Sequence, residues 1–201
     1  MYHRINKVIV IALLIYFSIL VYPTTSFAVA EKRAFEIFEE GIFDLITFSL
    51  EPLNKLDTLN EKIDDEGLYY IALAAKERFN GTLLFLTNLK VPSNVPKDIR
   101  KSLEDVKEYL SIGFYNLEES MDYLAQYILN QTPILYDRYL EKRDRGFSYI
   151  DGGLITLATA RLKFYPPEWI ETPKKSIPNA WKVGKEYFYK LEDTIRIKVN
   201  K

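Results

Sequence analysis

Between residues 99 and 128, apolar side chains return every three or four positions: Ile99, Leu103, Val106, Leu110, Phe114, Leu117, Met121, Leu124 and Ile128. That period places them on one stripe of a helix of about 30 residues. Pro96 and Asp98 suit its start, where a fixed φ and a carboxylate are favourable, and Thr132-Pro133 ends it. Phe35, Phe38, Ile42, Leu45, Ser49, Leu53, Leu56 and Ile63 hold a similar face. Pro52 lies within that stripe and removes a backbone donor, which predicts a kinked first helix or two stacked pieces. Leu68, Ala72, Ala75, Phe79, Leu83, Leu86 and Leu89 predict a second helix, closed by the loop VPSNVPK.

From Pro133 to Tyr165 the stripe is looser. Tyr136, Leu140, Phe147, Ile150, Leu154, Leu157 and Leu162 predict a fourth helix that Gly152-Gly153 interrupts, with Asp151 placed to cap a second segment. A strand in LITLATARL is the alternative and has no evident pairing partner. Pro166-Pro167 stops the element, and residues 166–180, with four prolines, read as an ordered arm or linker. The last segment, AWKVGKEYFYKLEDTIRIKVNK, fits two patterns. As a helix to about residue 192, it puts Trp181, Phe188 and Leu191 on one face. As a hairpin turning at Glu192-Asp193, it puts Phe188, Ile195, Ile197 and Val199 inward, with Tyr187, Tyr189, Arg196 and Lys198 outward. The helix is preferred. The expected fold is mainly all-α: a four-helix-bundle-like domain over residues 31–165, then a Pro-rich C-terminal arm over 166–201 ending in a helix or short β-hairpin.

The N-terminus follows a different pattern. Arg4 and Lys7 precede an apolar run from Val8 to Val21, broken only by Ser18, and Pro23, Thr24, Thr25 and Ser26 follow it. This core is about 15 residues, short of the ~20 that cross a bilayer. The order is that of a secretory signal peptide over residues 1–28, cut after Ala28 or Ala30. The alternative is an uncleaved anchor. A secreted or extracytoplasmic location in the cell envelope is expected, with membrane contact only through this segment if it stays.

Composition narrows the chemistry. The chain has no cysteine, and its one histidine, His3, lies inside the presumed signal. A processed chain would therefore lack disulfides, thiolate metal sites, His-ligated zinc or haem, and Ser-His-Asp or Cys nucleophile machinery. The Glu-x-x-His pairs of di-iron bundles are missing, and so are phosphate-binding glycine loops. No cofactor or metal is expected. About 170 residues can bury ~70% of their unfolded surface without such staples.

What remains is carboxylates and tyrosines. Asp57, Glu61, Asp64, Asp65 and Glu66 offer hard oxygen donors of the kind Ca²⁺ takes, but without EF-hand spacing, and read as a solvated helix end. Glu39-Glu40 and Glu118-Glu119 are adjacent pairs that point apart on a helix. Tyr109, Tyr115, Tyr123 and Tyr127 flank the third stripe as core edge, or line a groove. Asn80-Gly81-Thr82 and Asn130-Gln131-Thr132 match glycosylation acceptors.

Charge is split along the chain. Residues 31–160 carry 15 Lys/Arg against 23 Asp/Glu, whereas residues 161–201 carry 10 against 5. The basic tail either reaches a partner or folds back on the acidic body. Trp181, Lys182, Lys185, Tyr187, Tyr189, Arg196 and Lys198 are the candidate partner-binding residues, able to stack on and pair with an anionic surface. The expectation is an exported, non-enzymatic helical protein that binds a protein or an anionic envelope component, and not nucleic acid. The alternatives are a carboxylate-dependent enzyme, and an extracytoplasmic sensor or scaffold domain if the N-terminal segment remains an anchor.

Overall fold

The computed structural model describes residues 29–58, 64–165 and 177–199. The proposed signal peptide with His3, residues 59–63, residues 166–176 of the proline-rich arm and the last two residues lie outside them. The described residues are helical, with no strand among them, and form five long helices packed against one another.

Helix α1 covers residues 29–50 and buries Phe35, Phe38, Ile42, Ile46 and Leu50. It stops at Pro52 rather than kinking there. Pro52 lacks an N–H and its ring crowds the carbonyl one turn back, so the chain tightens into a 3₁₀ turn, η1 (Glu51–Asn54), then one helical turn, α2 (Lys55–Thr58). Glu51 accepts from Arg78 Nη1 at 2.7 Å, and that guanidinium lies 4.0 Å over the Phe48 ring.

Helix α3 (Asp65–Asn88) is capped by Asp64, whose side chain accepts from the Gly67 N–H at 2.8 Å. Helix α4 (Lys97–Asn130) matches its predicted stripe closely: Ile99 through Leu124 are buried and only Ile128 is half-covered. Helix α5 (Pro133–Phe164) runs unbroken through Gly152-Gly153. The two glycines do not divide it, and Asp151 caps nothing. Leu162, expected inside, is exposed, while Tyr139, Arg143, Gly146 and Ala160 take core positions.

The glycines of this helical hairpin serve close approach. A Cβ at Gly113 would stand 2.5 Å from Ile150 Cγ1, and one at Gly146 would stand 2.7 Å from Leu117 Cδ2. Only a missing side chain lets α4 and α5 come this near.

Helix α6 (Ile177–Val199) settles the ambiguous C-terminus as a helix that continues past residue 192. It buries Ile177, Trp181, Phe188, Leu191 and Ile195. Helices α1 and α6 both run antiparallel to α5 and share its flank. Phe35 stacks on Phe164 at 5.2 Å and Arg161 donates to Glu39 at 3.0 Å, which ties α1 to the C-terminal half of α5. Trp181 meets Asp151 near the middle of α5, and Phe188 meets Phe147 and Glu192 meets Arg143, which ties α6 to the middle and N-terminal half. Where α1 ends, Leu50 packs against Gly184, at which a Cβ would lie 2.5 Å from Leu50 Cδ1.

Candidate functional site

On α5, Tyr139, Arg143, Phe147 and Asp151 recur every fourth residue and so form one line along the helix. Opposite them α6 presents Trp181, Lys185, Phe188 and Glu192 at its own three- and four-residue steps. The two lines make a seam with a polar lock at each end and rings between.

At one lock Arg143, 8% exposed, donates through Nη1 to Glu192 Oε1. The Tyr139 hydroxyl donates to the same oxygen at 2.9 Å. Arg143 also reaches Asp144 Oδ1 from Nε and Nη2, at 3.0 and 2.7 Å. Its guanidinium lies 5.7 Å from the Phe147 and Tyr189 ring centres and 5.9 Å from that of Tyr139. Burial drives the Tyr139 phenol far above its ordinary pKa, with Arg143 opposing, so Tyr139 stays protonated and donating.

At the other lock Asp151 Oδ1 accepts from Trp181 Nε1 at 2.8 Å, and both of its oxygens lie 3.1 Å from Lys185 Nζ. Between the locks Phe147 sets its edge against Trp181 at 5.4 Å and Phe188 at 5.1 Å. Phe188 stacks on Phe79, which touches Phe114, so the ring cluster links α3, α4, α5 and α6.

The candidate partner-binding residues therefore divide. Trp181, 2% exposed, and Lys185 belong to the seam. Tyr187 is half-buried with Lys190 over its ring at 5.6 Å. Lys182, Tyr189 and Arg196 face outward, together with Val183, Glu186 and Asp193. Arg196 pairs with Asp193 at 3.0 Å in full solvent. The Lys198 side chain lies outside the described part of the molecule.

The sequence pattern had not singled out Arg143, Tyr139, Glu192 or the role of Asp151. One signal was available: Arg143 falls in register with Tyr139, Phe147 and Ile150, a cation on an apolar line, which requires a buried partner. The chemistry of the seam is that of a clamp. Its carboxylates hold cations or an indole, and its phenol is kept from ionising.

The other candidates disperse. Asp64 is a helix cap, the Asp57 side chain and Glu61 lie outside the described residues, and no three acidic groups among the described residues converge on a cation position. Glu118 turns to Asn80 on α3 at 3.2 Å, whereas Glu119 turns to Lys142 on α5 at 2.6 Å. The Asn80-Gly81-Thr82 motif sits mid-helix, with Thr82 buried and bonded to the Arg78 carbonyl. Asn130-Gln131-Thr132 lies exposed at the α4–α5 turn. Tyr109 and Tyr115 are exposed and Tyr123 and Tyr127 half-buried, at the edge of the core. Among the described residues no helix is long and apolar enough to cross a membrane.

No family model matches the chain, and neither a curated protein nor a solved structure shows significant similarity to it.

Proposed function

We propose that this is an exported, non-enzymatic helical protein that binds a protein or an anionic envelope component through the outer face of α6. The observation that carries this reading is the way α6 is held. One buried and one half-exposed polar lock and a ring cluster fix its inner face, so Lys182, Tyr189 and Arg196 are presented from a rigid support rather than a loose tail. Lys182 and Arg196 flank Tyr189 on this face with Glu186 and Asp193 beside them, a mixed-charge aromatic surface on which the two cations are the groups suited to meet an acidic partner. The N-terminal run of Arg4, Lys7 and Val8–Val21 supports export. The fold is read as a four-helix-bundle-like domain of α3, α4 and α5 with a fourth column that α1 begins and α6 completes, so that the domain runs past residue 165 to take in α6. Should the N-terminal run be retained, it leads directly into α1, and the same surface would serve an anchored sensor or scaffold domain.

The test is binding of the purified chain to isolated envelope material. Deleting residues 168–201 is unsuitable, because it strips Trp181, Phe188, Leu191 and Ile195 from the core. The double substitution Lys182→Glu and Arg196→Glu leaves the seam intact. Binding is expected to fall roughly tenfold or more and to weaken steeply with salt. Binding that is unchanged by the double substitution and by salt rejects the proposal.

A further inference from the structure

We propose that the turn joining α4 to α5 inserts into the headgroup region of a phospholipid bilayer, led by Leu129, Pro133 and Ile134. From Tyr123 to Tyr136 the chain reads YLAQYILNQTPILY, an uncharged stretch longer than any other beyond residue 30. The structure places its middle at one end of the molecule. Helix α4 ends at Asn130, α5 begins at Pro133, and Leu129 and Ile134 stand 65% and 61% exposed between them. Gln131, at φ 49°, closes the turn.

Directly behind the turn, Tyr127 and Tyr136 bridge the two helices with ring centres 5.1 Å apart, and Tyr136 continues to Tyr139 at 5.7 Å. Aliphatic side chains beyond a layer of tyrosines is the order of an element that settles at the interface, with the phenols at headgroup depth. Three donors of the turn are bonded within it. The Gln131 N–H donates to the Tyr127 carbonyl at 2.7 Å, and the Leu135 N–H donates to that of Thr132 at 2.9 Å. Asn130 Nδ2 donates to the Gln126 carbonyl at 3.0 Å. Backbone that leaves water needs such internal partners.

A bilayer fits this tip better than a protein does. Three side chains on a two-residue turn fall far short of the ~800 Å² per partner that a stable protein interface buries. A bilayer requires no complementary shape. The surrounding charges are mixed: Asp137 and Arg138 follow on α5, Arg196 acts on Tyr136 from α6, and Asp65 and Glu66 start α3 at this end. The contact is therefore driven by apolar burial, with little preference for anionic lipid. It is independent of the α6-face reading. Residue 29 begins α1 at the other end, roughly 45 Å away along α5.

The cysteine-free chain allows a site-specific test on the full-length protein. Leu129→Cys, and as a control Ile155→Cys on the exposed flank of α5, each take a nitrobenzoxadiazole label. Phosphatidylcholine vesicles, with and without phosphatidylglycerol, are then added. The label at 129 is expected to brighten severalfold with a blue shift, to be quenched by spin-labelled acyl chains and to persist in high salt, while the label at 155 does not respond. Ile134→Asp in the Leu129→Cys protein is expected to abolish the signal without changing helicity or Tm. A label at 129 that stays aqueous with vesicles overturns the proposal. So does an equal response at 155, or a response on concentrating the protein without lipid, which would mean contact between copies.

Discussion

A methyl group added at Gly113 and one added at Gly152 should move stability in opposite directions, although both replace glycine by alanine within a long helix of the same hairpin. Alanine gains about 1 kcal/mol over glycine in a helix interior, chiefly because the unfolded chain loses less freedom. At Gly152 the nearest atoms to the new Cβ are Tyr109 ring carbons at 3.8 and 4.0 Å, an ordinary contact, so that gain should survive. At Gly113 the Cβ would stand 2.5 Å from Ile150 Cγ1 and 3.1 Å from both the Gly146 carbonyl oxygen and the Ile150 nitrogen. The Ile150 side chain can turn away, but the backbone atoms move only if α4 and α5 separate. Overpacking of this kind costs about 1–3 kcal/mol. The expected net is a loss of up to about 2 kcal/mol for Gly113→Ala, the overpacking cost less the helix gain, and a gain of roughly 0.5–1 kcal/mol for Gly152→Ala. At ~2–4 °C per kcal/mol for a domain of this size, the two Tm values should lie on opposite sides of the parent's. Urea unfolding followed by circular dichroism checks the free energies. A Gly113→Ala protein at least as stable as Gly152→Ala would refute the close-approach account of the hairpin.

Three further outcomes follow from the seam and the α1–α5 contact. Glu192→Ala leaves Arg143 buried with only Asp144 and leaves the Tyr139 hydroxyl without its acceptor. A loss of about 3 kcal/mol in urea unfolding is expected, with Arg143→Met, Glu192→Leu and Tyr139→Phe together recovering most of it, and a triple variant less stable than the single would contradict the lock. The Tyr165 hydroxyl is buried with no partner among the described residues, so Tyr165→Phe should be neutral or slightly stabilising at pH 7, whereas Tyr139→Phe should lose about 1–2 kcal/mol. Burial pushes the Tyr165 phenol from 10 up to about 12, so the folded state holds its proton longer and stability falls as pH rises across that window. Tyr165→Phe should flatten this alkaline decline. Burial likewise raises Glu39 above its ordinary value of 4.5 against the pull of Arg161, so its contribution to stability falls as pH rises from 4.5 through the folded value. Glu39→Gln should remove that slope from the pH–stability profile, and an unchanged slope would place the titration elsewhere.

Different elements were legible for different reasons. Helix α4 was readable almost residue by residue, because one apolar stripe with few exceptions leaves a single register. In α5 the core line includes Tyr139, Arg143, Gly146 and Gly153, and none of these reads as core in an apolar pattern. The stripe therefore looked loose, and Gly152-Gly153, of which only Gly153 packs closely against α4, looked like a break. Pro52 was correctly marked as disruptive, but local sequence does not say whether a proline kinks or ends a helix. That depends on what lies beyond it, here the turn that lets Leu50 meet Gly184. The C-terminal segment was balanced between helix and hairpin, because Phe188, Leu191 and Ile195 fit either period until the groove they fill is known. The partner list mixed two populations for a related reason. Trp181 and Lys185 look like Tyr189 and Arg196 in sequence, and only the position of Asp151 on another helix separates buried clamp from outward face.

The central claim is that α6 is an integral column of the folded body, so that its outer face is a fixed surface. Native-state amide hydrogen exchange on the full-length protein tests this directly. The amides of Phe188 to Leu191 should exchange about as slowly as those of Leu110 to Leu117 in α4, with opening free energies within roughly 1 kcal/mol of each other. Exchange in α6 faster by roughly two orders of magnitude or more, with α4 still protected, would show a tail that detaches on its own and would contradict the account.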